Sequence, residues 1–299
     1  MIAVETAAGR AGSAEPSLFT TDAVAYSRSW RIAAAALRIF SRGGLLLMLA
    51  ALTLSATPPS NPFKMMRLFA ALFLAPELAS WFIARAFAAS IRVDDGRLRI
   101  ESRDETIEIP LSSIAAAEPW RFPAPALGLG MLLRSGRRIP LEIRTEDPVA
   151  LVDAMIAAGA APELRNGLEH PLVMFARARL AHGPGRLENP FLKFVLFSLV
   201  PTIPIFRLHQ YIAYGGAFGE YYTYGLQMYL VGFGIWWAKH AIWLVLIAAA
   251  FRAVVEVVAF AVAAAAPSLA TGARLILEVL QRLLYYIGIP LLIYLRLTA

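Results

Sequence analysis

Lys239 and His240 stand side by side about 13 residues into an apolar run that opens at Leu226. At mid-bilayer an ionisable side chain costs roughly 2.5–3.5 kcal/mol, so an ammonium beside an imidazole there has the makings of a proton or ion pathway. Glu77 follows Pro76 in the middle of another apolar run and supplies a carboxylate fit for a relay, with Arg85 two turns on. Each group also has a plainer reading. If the long helix is shifted outward, Trp236, Trp237, Lys239, His240 and Trp243 make an interfacial belt with the lysine snorkelling; Glu77, independently, reads as an interior packing partner. That shift carries Arg252 and Glu256 deep into the bilayer. One of the two charged sites must then be buried, or the helix must bend.

Arg207, His209, Gln210, Tyr211, Glu220, Tyr221 and Tyr222 fall within sixteen residues, among glycines at 215, 216, 219 and 225. A loop over 207–225 of this composition suits a headgroup, a glycan or a partner, and is equally an aromatic belt. Glu220 reaches Lys239 or His240 if the loop folds inward. Arg252 and Glu256, Arg274 and Glu278, and Glu278 and Arg282 are spaced i,i+4, so each helix neutralises its own charge along one face. Folding the chain back at 267–270 brings Glu256 opposite Gln281 and Arg282, which predicts a Glu256–Arg282 ion pair near the cytoplasmic headgroups. Helix-to-helix glue and an ion relay are both open for it.

His170, His182, His209 and His240 have no metal-ligand spacing, so no metal site is expected. The chain has no cysteine, which removes disulfides, thiolate sites and cysteine nucleophiles together. No phosphate loop, dinucleotide fingerprint or nucleophile elbow is present. Glu220 and His209 are capable of acid–base chemistry, but no nucleophile is placed near them. No catalytic residue and no cofactor are assigned.

Hydropathy supplies the elements that hold these groups. Of 299 residues, 59% are hydrophobic and 16% charged, against about 45–50% and about 25% in soluble proteins, which excludes an ordinary water-soluble domain. The net charge of +7 reads as cations flanking membrane spans, and no nucleic-acid partner is expected. Residues 1–27 lack the pattern of a signal peptide and are expected to be a retained disordered tail. Residues 28–89 make a transmembrane hairpin, with one span through Gly43–Thr57, a turn at Pro58, Pro59 and Pro62, and a return over Met65–Ala89. A third span, Phe191–Phe206, is kinked by Pro201 and Pro204 and short or re-entrant. After the 207–225 loop, Leu226–Ala266 is an unbroken helix about 60 Å long, twice the hydrocarbon thickness. Pro267, Ser268 and Gly272 end it, and Ala273–Leu297 is the last helix. The fold class is an α-helical multi-pass membrane protein of about five spans, with residues 191–299 as a three-span C-terminal domain.

Arg28, Arg31, Arg38, Arg42, Arg85, Arg92, Arg177, Arg179, Arg186 and Lys193 share one side, against Lys64, Arg67, Arg207 and Arg296 on the other. By the positive-inside rule the N-terminus is cytoplasmic in an inner membrane and the C-terminus lies outside. Residues 161–190 form an amphipathic basic linker in which Pro171–Leu180 is able to lie in the membrane plane near anionic lipid.

Between the spans, residues 90–160 are charged and alternating. Ile91-Arg-Val-Asp-Asp-Gly-Arg-Leu-Arg-Ile100 predicts a hairpin on an Asp-Gly turn. Further strands are predicted at Thr106–Pro110, Ile114–Trp120, Leu129–Arg134 and Arg138–Arg144, with a loop at Pro123–Ala126. Asp147 and Pro148 then cap and start a helix that ends by Gly159. With I-E-I-P-L-S-S-I in the middle and R-T-E-D-P-V-A-L-V-D-A-M-I at its end, the stretch from about 40 to 158 resembles the bacterial pleckstrin-homology-like membrane-flanked domains. The resemblance implies a small, barrel-like α+β cytoplasmic domain that scaffolds or binds, and carries no catalytic residues with it. Residues 190–299 lie outside it.

The expected function is therefore a non-enzymatic inner-membrane scaffold or regulatory and assembly protein, whose partners are membrane lipids and a protein or a second copy of the chain. The competing reading is a small transporter or lipid-handling protein with a polar site around Lys239, His240 and Glu77.

Overall fold

The computed structural model describes residues 19–55, 61–103, 105–120, 127–181 and 185–298. It is mostly helical, with five helices long and apolar enough to cross a membrane and one antiparallel seven-stranded sheet. The first helix, α1, is Arg28–Leu54, and the second, α2, is Pro62–Ala86, which Asn61 caps by accepting hydrogen bonds from the Phe63 and Lys64 amides. Pro58 and Pro59 of the expected turn lie outside the described residues. The two helices touch along small residues. Ser80 Oγ donates to the Ala34 carbonyl and Ser41 Oγ to the Phe73 carbonyl, and a Cβ on Gly44 would sit 2.8 Å from the Leu72 carbonyl oxygen.

The strands are β1 (Phe19–Ser27), β2 (Ala88–Asp94), β3 (Arg97–Ser102), β4 (Thr106–Pro110), β5 (Ile114–Pro119), β6 (Leu129–Leu133) and β7 (Arg138–Thr145), in the spatial order β4-β3-β2-β1-β7-β6-β5. The disordered tail expected over 1–27 fails for its last nine residues, which form the central strand; residues 1–18 lie outside the described residues. The strand escapes a sequence reading because both its neighbours are distant. Ala23 pairs with Ala89 on one side and with Thr145 on the other. The domain is consequently not a continuous insert over 90–160, for the helical hairpin is itself inserted between two paired strands.

The remaining strands fall where alternation places them. Asp95 and Gly96 both take positive φ, 40° and 73°, as a two-residue turn on a right-twisted hairpin requires. Helix α3 (Pro148–Ala157) is capped by Asp147, whose carboxylate accepts from the Val149 and Ala150 amides at 2.9 and 3.0 Å. Its Leu151, Val152 and Met155 close the sheet's core over Ile91, Leu98, Ile100, Leu129 and Ile143. The expected loop at Pro123–Ala126 lies outside the described residues.

Pro171–Leu180 is helix α4, and it is packed between the sheet and the C-terminal helices. Leu172 and Val173 join the sheet's core, and Ala178 packs with Ala263 and Ala270 of the C-terminal helices. Those helices are α5 (Phe191–Tyr214), α6 (Gly219–Ala265) and α7 (Pro267–Arg296). The helix expected to be short or re-entrant, α5, is thus long and apolar enough to cross a membrane, Pro204 being accommodated inside it. Most of the expected 207–225 loop is helical. Gly215 closes α5 in the left-handed conformation, and Gly225 (φ 84°, ψ 174°) breaks α6 at its start. Wide π-type turns interrupt α2 at Ala70–Leu74, α5 at Phe191–Leu196 and α7 at Leu284–Gly288.

Candidate functional site

The strongest concentration of chemistry lies where α6 and α7 emerge from the helical bundle toward the sheet. Helix α7 folds back directly after Ala265, so positions on the two helices face one another in antiparallel register about that point. Arg274 is fully buried there. Its two terminal nitrogens each lie 3.0 Å from one oxygen of Glu256, and its Nε is 3.0 Å from Glu278. Arg252 adds a 2.6 Å pair to Glu256 and approaches Glu278 at 3.7 Å. The expected Glu256–Arg282 pair does not form. The turn sits a few residues earlier than 267–270, which moves Arg282 two helical turns away from Glu256, to Glu278 at 3.7 Å and Glu188 at 3.3 Å.

Glu188 extends the network to Lys193, 2.7 Å away and buried in the π-turn of α5. Burial pushes the Glu188 carboxyl upward, but the hydrogen bonds and charges of Lys193 and Arg282 outweigh it and hold the group below the ordinary carboxylate range. The segment is fixed by two phenols of the α7 π-turn. Tyr285 donates to the Lys193 carbonyl at 3.0 Å and Tyr286 to the Leu187 carbonyl at 2.5 Å. The paired charges wall a cavity of about 380 Å³, to which α1 brings Arg42, α2 brings Phe73 and α4 brings Arg179. Five cations, Arg42, Arg179, Lys193, Arg252 and Arg282, line it against two carboxylates, Glu188 and Glu278. Arg179 opens onto the cavity and makes no ion pair among the described residues; crowding by protein holds its guanidinium below its ordinary value, although Glu256 favours the charge.

Sequence reasoning saw the i,i+4 pairs of this network but took Arg179 and Lys193 as ordinary flanking cations and passed over Glu188. Glu188 ends a short 3-10 turn (Arg186–Glu188) ahead of the π-turn that holds Lys193, so their five-residue step matches neither the i,i+3 nor the i,i+4 helical template.

The intramembrane candidates divide. Glu77 bonds Arg42 at 3.2 Å and Arg38 at 3.6 Å on α1, so the site proposed around Lys239, His240 and Glu77 is not assembled by direct bonds among the described residues. His240 Nδ1 lies 2.9 Å from the Trp236 carbonyl and 3.2 Å from the Thr202 hydroxyl, and its ring stacks on Trp236. Lys239 lies 5.0 Å from the centre of the same indole, which His209 also approaches at 4.9 Å. Lys239 and His240 also rim an open, mostly apolar cleft of about 700 Å³ between α5, α6 and α7.

Of the outer group, Glu220 pairs with neither Lys239 nor His240. Its carboxylate accepts from Gln210 Nε2 at 2.6 Å, its amide donates to Gln210 Oε1 at 3.1 Å, and it fills the space left by Gly232. Arg207 lies over Tyr211 at 5.9 Å, and Tyr221 packs edge-on to Tyr222. Among the described residues no three metal-ligating side chains converge. The chain matches no protein-family model, and no curated protein or solved structure is significantly similar to it.

Proposed function

We propose that the chain is a multi-pass inner-membrane protein whose sheet domain is pleckstrin-homology-like, faces the cytoplasm and serves as a scaffold or regulatory platform for a protein partner or a second copy. The observation that carries this reading is the direct join between sheet and spans. Strand β1 runs into α1 at Ser27–Arg28, and only Phe87 separates α2 from β2. The Ala25 amide donates to the Phe87 carbonyl at 3.0 Å, Phe87 packs against Tyr26 and Trp30, and Arg31 of α1 is paired with Glu142 of β7. A domain joined in this way moves with its membrane helices, as a platform must and a tethered catalytic module need not. The sheet order with one helix closing the core supports the pleckstrin-homology-like assignment, and the cation-rich first helix supports the cytoplasmic orientation.

Reporter fusions at the β6–β7 turn, near Gly136, and at the α5–α6 connection, near Gly216, test the orientation. The first is expected inside and the second outside. Photo-crosslinkers at Arg99 and Arg138 on the sheet, read in native membranes, test the platform. Discrete protein adducts are expected, and their absence at both positions, together with a monomeric particle in nanodiscs, would overturn it.

The open apolar cleft at Lys239 and His240 favours lipid handling as the second reading. A Lys239→Leu variant that left the membrane's lipid composition and growth unchanged would remove it.

A further inference from the structure

The cavity between α1, α4, α6 and α7 has a charge imbalance that its own carboxylates do not correct. The acids nearest to it are already shared: Glu77 by Arg38 and Arg42, Glu188 by Lys193 and Arg282, Glu256 by Arg252 and Arg274, and Glu278 by Arg252, Arg274 and Arg282. Five cations face the space against two anions, and Arg179 enters it with no ion pair among the described residues. Gathering like charges in a partly desolvated pocket is unfavourable unless a counter-charge completes the set. The cavity, about 380 Å³, is within the range of small-ligand sites. Guanidinium groups present the planar donor pairs that match phosphate oxygens, and here they come from α1, α4, α6 and α7 and converge on one space. Two of the π-turns also open onto it, through Phe73 and Phe194, and such turns recur at functional sites.

We propose that this cavity binds a phosphate-bearing anion, presented either as the headgroup of an anionic phospholipid or as a water-soluble phosphate ester. Arg179 and Arg282 are its chief contacts, and the ligand ties α4 of the sheet side to the helical bundle. This site is separate from the scaffold reading and stands whether or not the sheet domain recruits a partner.

The full chain, held in phosphatidylcholine nanodiscs, is titrated with glycerol 1-phosphate, and in a second arm part of the lipid is replaced by phosphatidylglycerol. Thermal unfolding is read in both arms, and native mass spectrometry reads retained lipid. A rise in unfolding temperature in either arm is expected. A response to the soluble ester as well as to phosphatidylglycerol assigns a water-accessible phosphate site, and a response to phosphatidylglycerol alone assigns a lipid headgroup. Arg179→Gln, which breaks no ion pair, is expected to weaken the response at least tenfold in ligand concentration, whereas Arg137→Gln on the exposed β6–β7 turn leaves it intact. No response in either arm, or an undiminished response in both Arg179→Gln and Arg179→Glu, overturns the proposal.

Discussion

Arg274 and Glu256 meet as a fully bidentate pair across the turn between α6 and α7, both nitrogen–oxygen distances being 3.0 Å and the arginine wholly buried. The pair fixes the register of the two helices. Each further contact along them, Arg252 with Glu278 and Leu244 with Tyr285, follows from the same alignment.

Removing one partner of such a pair leaves a charge buried without its counter-ion, at a cost of about 3–5 kcal/mol. Glu256→Ala and Arg274→Ala are therefore each expected to be strongly destabilised in denaturant unfolding of the purified protein. The double Glu256→Ala, Arg274→Ala replacement is expected to lose less than the two single losses combined. Additive losses in that double-mutant cycle would mean the two side chains are not coupled.

Adjacent glycines on α1 make a sharper packing test. A Cβ at Gly43 meets nothing within 4 Å, while one at Gly44 lies 2.8 Å from the Leu72 carbonyl oxygen. Gly43→Ala is expected to be neutral or to stabilise by up to about 1 kcal/mol through helix propensity. Gly44→Ala is expected to cost about 1–3 kcal/mol by forcing the hairpin apart. Equal effects in thermal unfolding would place the α1–α2 interface elsewhere.

Acid should loosen the segment that walls the cavity. The Glu188 carboxyl is held below the ordinary range by Lys193 and Arg282, so its contribution is fully present above the unfolded carboxylate value, about 4.3, and is lost as pH falls through the lower folded value. Stability measured from pH 7 downward is expected to fall less steeply in the acid range for Glu188→Gln than for the natural chain. Parallel curves would show that Glu188 gains nothing from its partners in the folded state.

What the sequence displayed and what it concealed follow a physical division. The Asp95-Gly96 turn and the Asp147 cap are local properties, readable within a few residues of their own positions, and the five apolar helices show in the hydropathy, although the prolines of α5 masked its full length. Strand β1 depends on partners about 70 and about 120 residues away, which no local pattern reports. The Glu256–Arg282 expectation used the right charges with a turn placed slightly too late, and an error of a few residues at a helical reversal is doubled across it. The cavity was hidden for a further reason. Arg42, Arg179 and the Glu188–Lys193 stretch come from three separate segments and meet only in the folded bundle.

Met65 and Leu52 share one buried apolar cluster with Ile242, and this packing favours one of the two registers that the long helix allowed. Those residues lie at the ends of α2 and α1 that flank the hairpin's turn, so Lys239, less than one helical turn from Ile242, is expected at the level of Lys64 rather than at the depth of Glu77. Arg252 is 13 residues further along α6, about 20 Å at 1.5 Å per residue, on the side of the sheet. The outward register, with Trp236, Trp243 and Lys239 as a belt, is the expected one, and the Arg252 network then sits in the inner half of the span, neutralised by its own carboxylates. Because the chain contains no cysteine, single substitutions report directly. With a membrane-impermeant maleimide applied from outside intact cells, Lys64→Cys and Lys239→Cys are expected to label alike, and Val245→Cys, facing the interior, to stay protected. Labelling of Lys64→Cys with full protection of Lys239→Cys would instead place Lys239 and His240 inside the bilayer and revive the pathway reading.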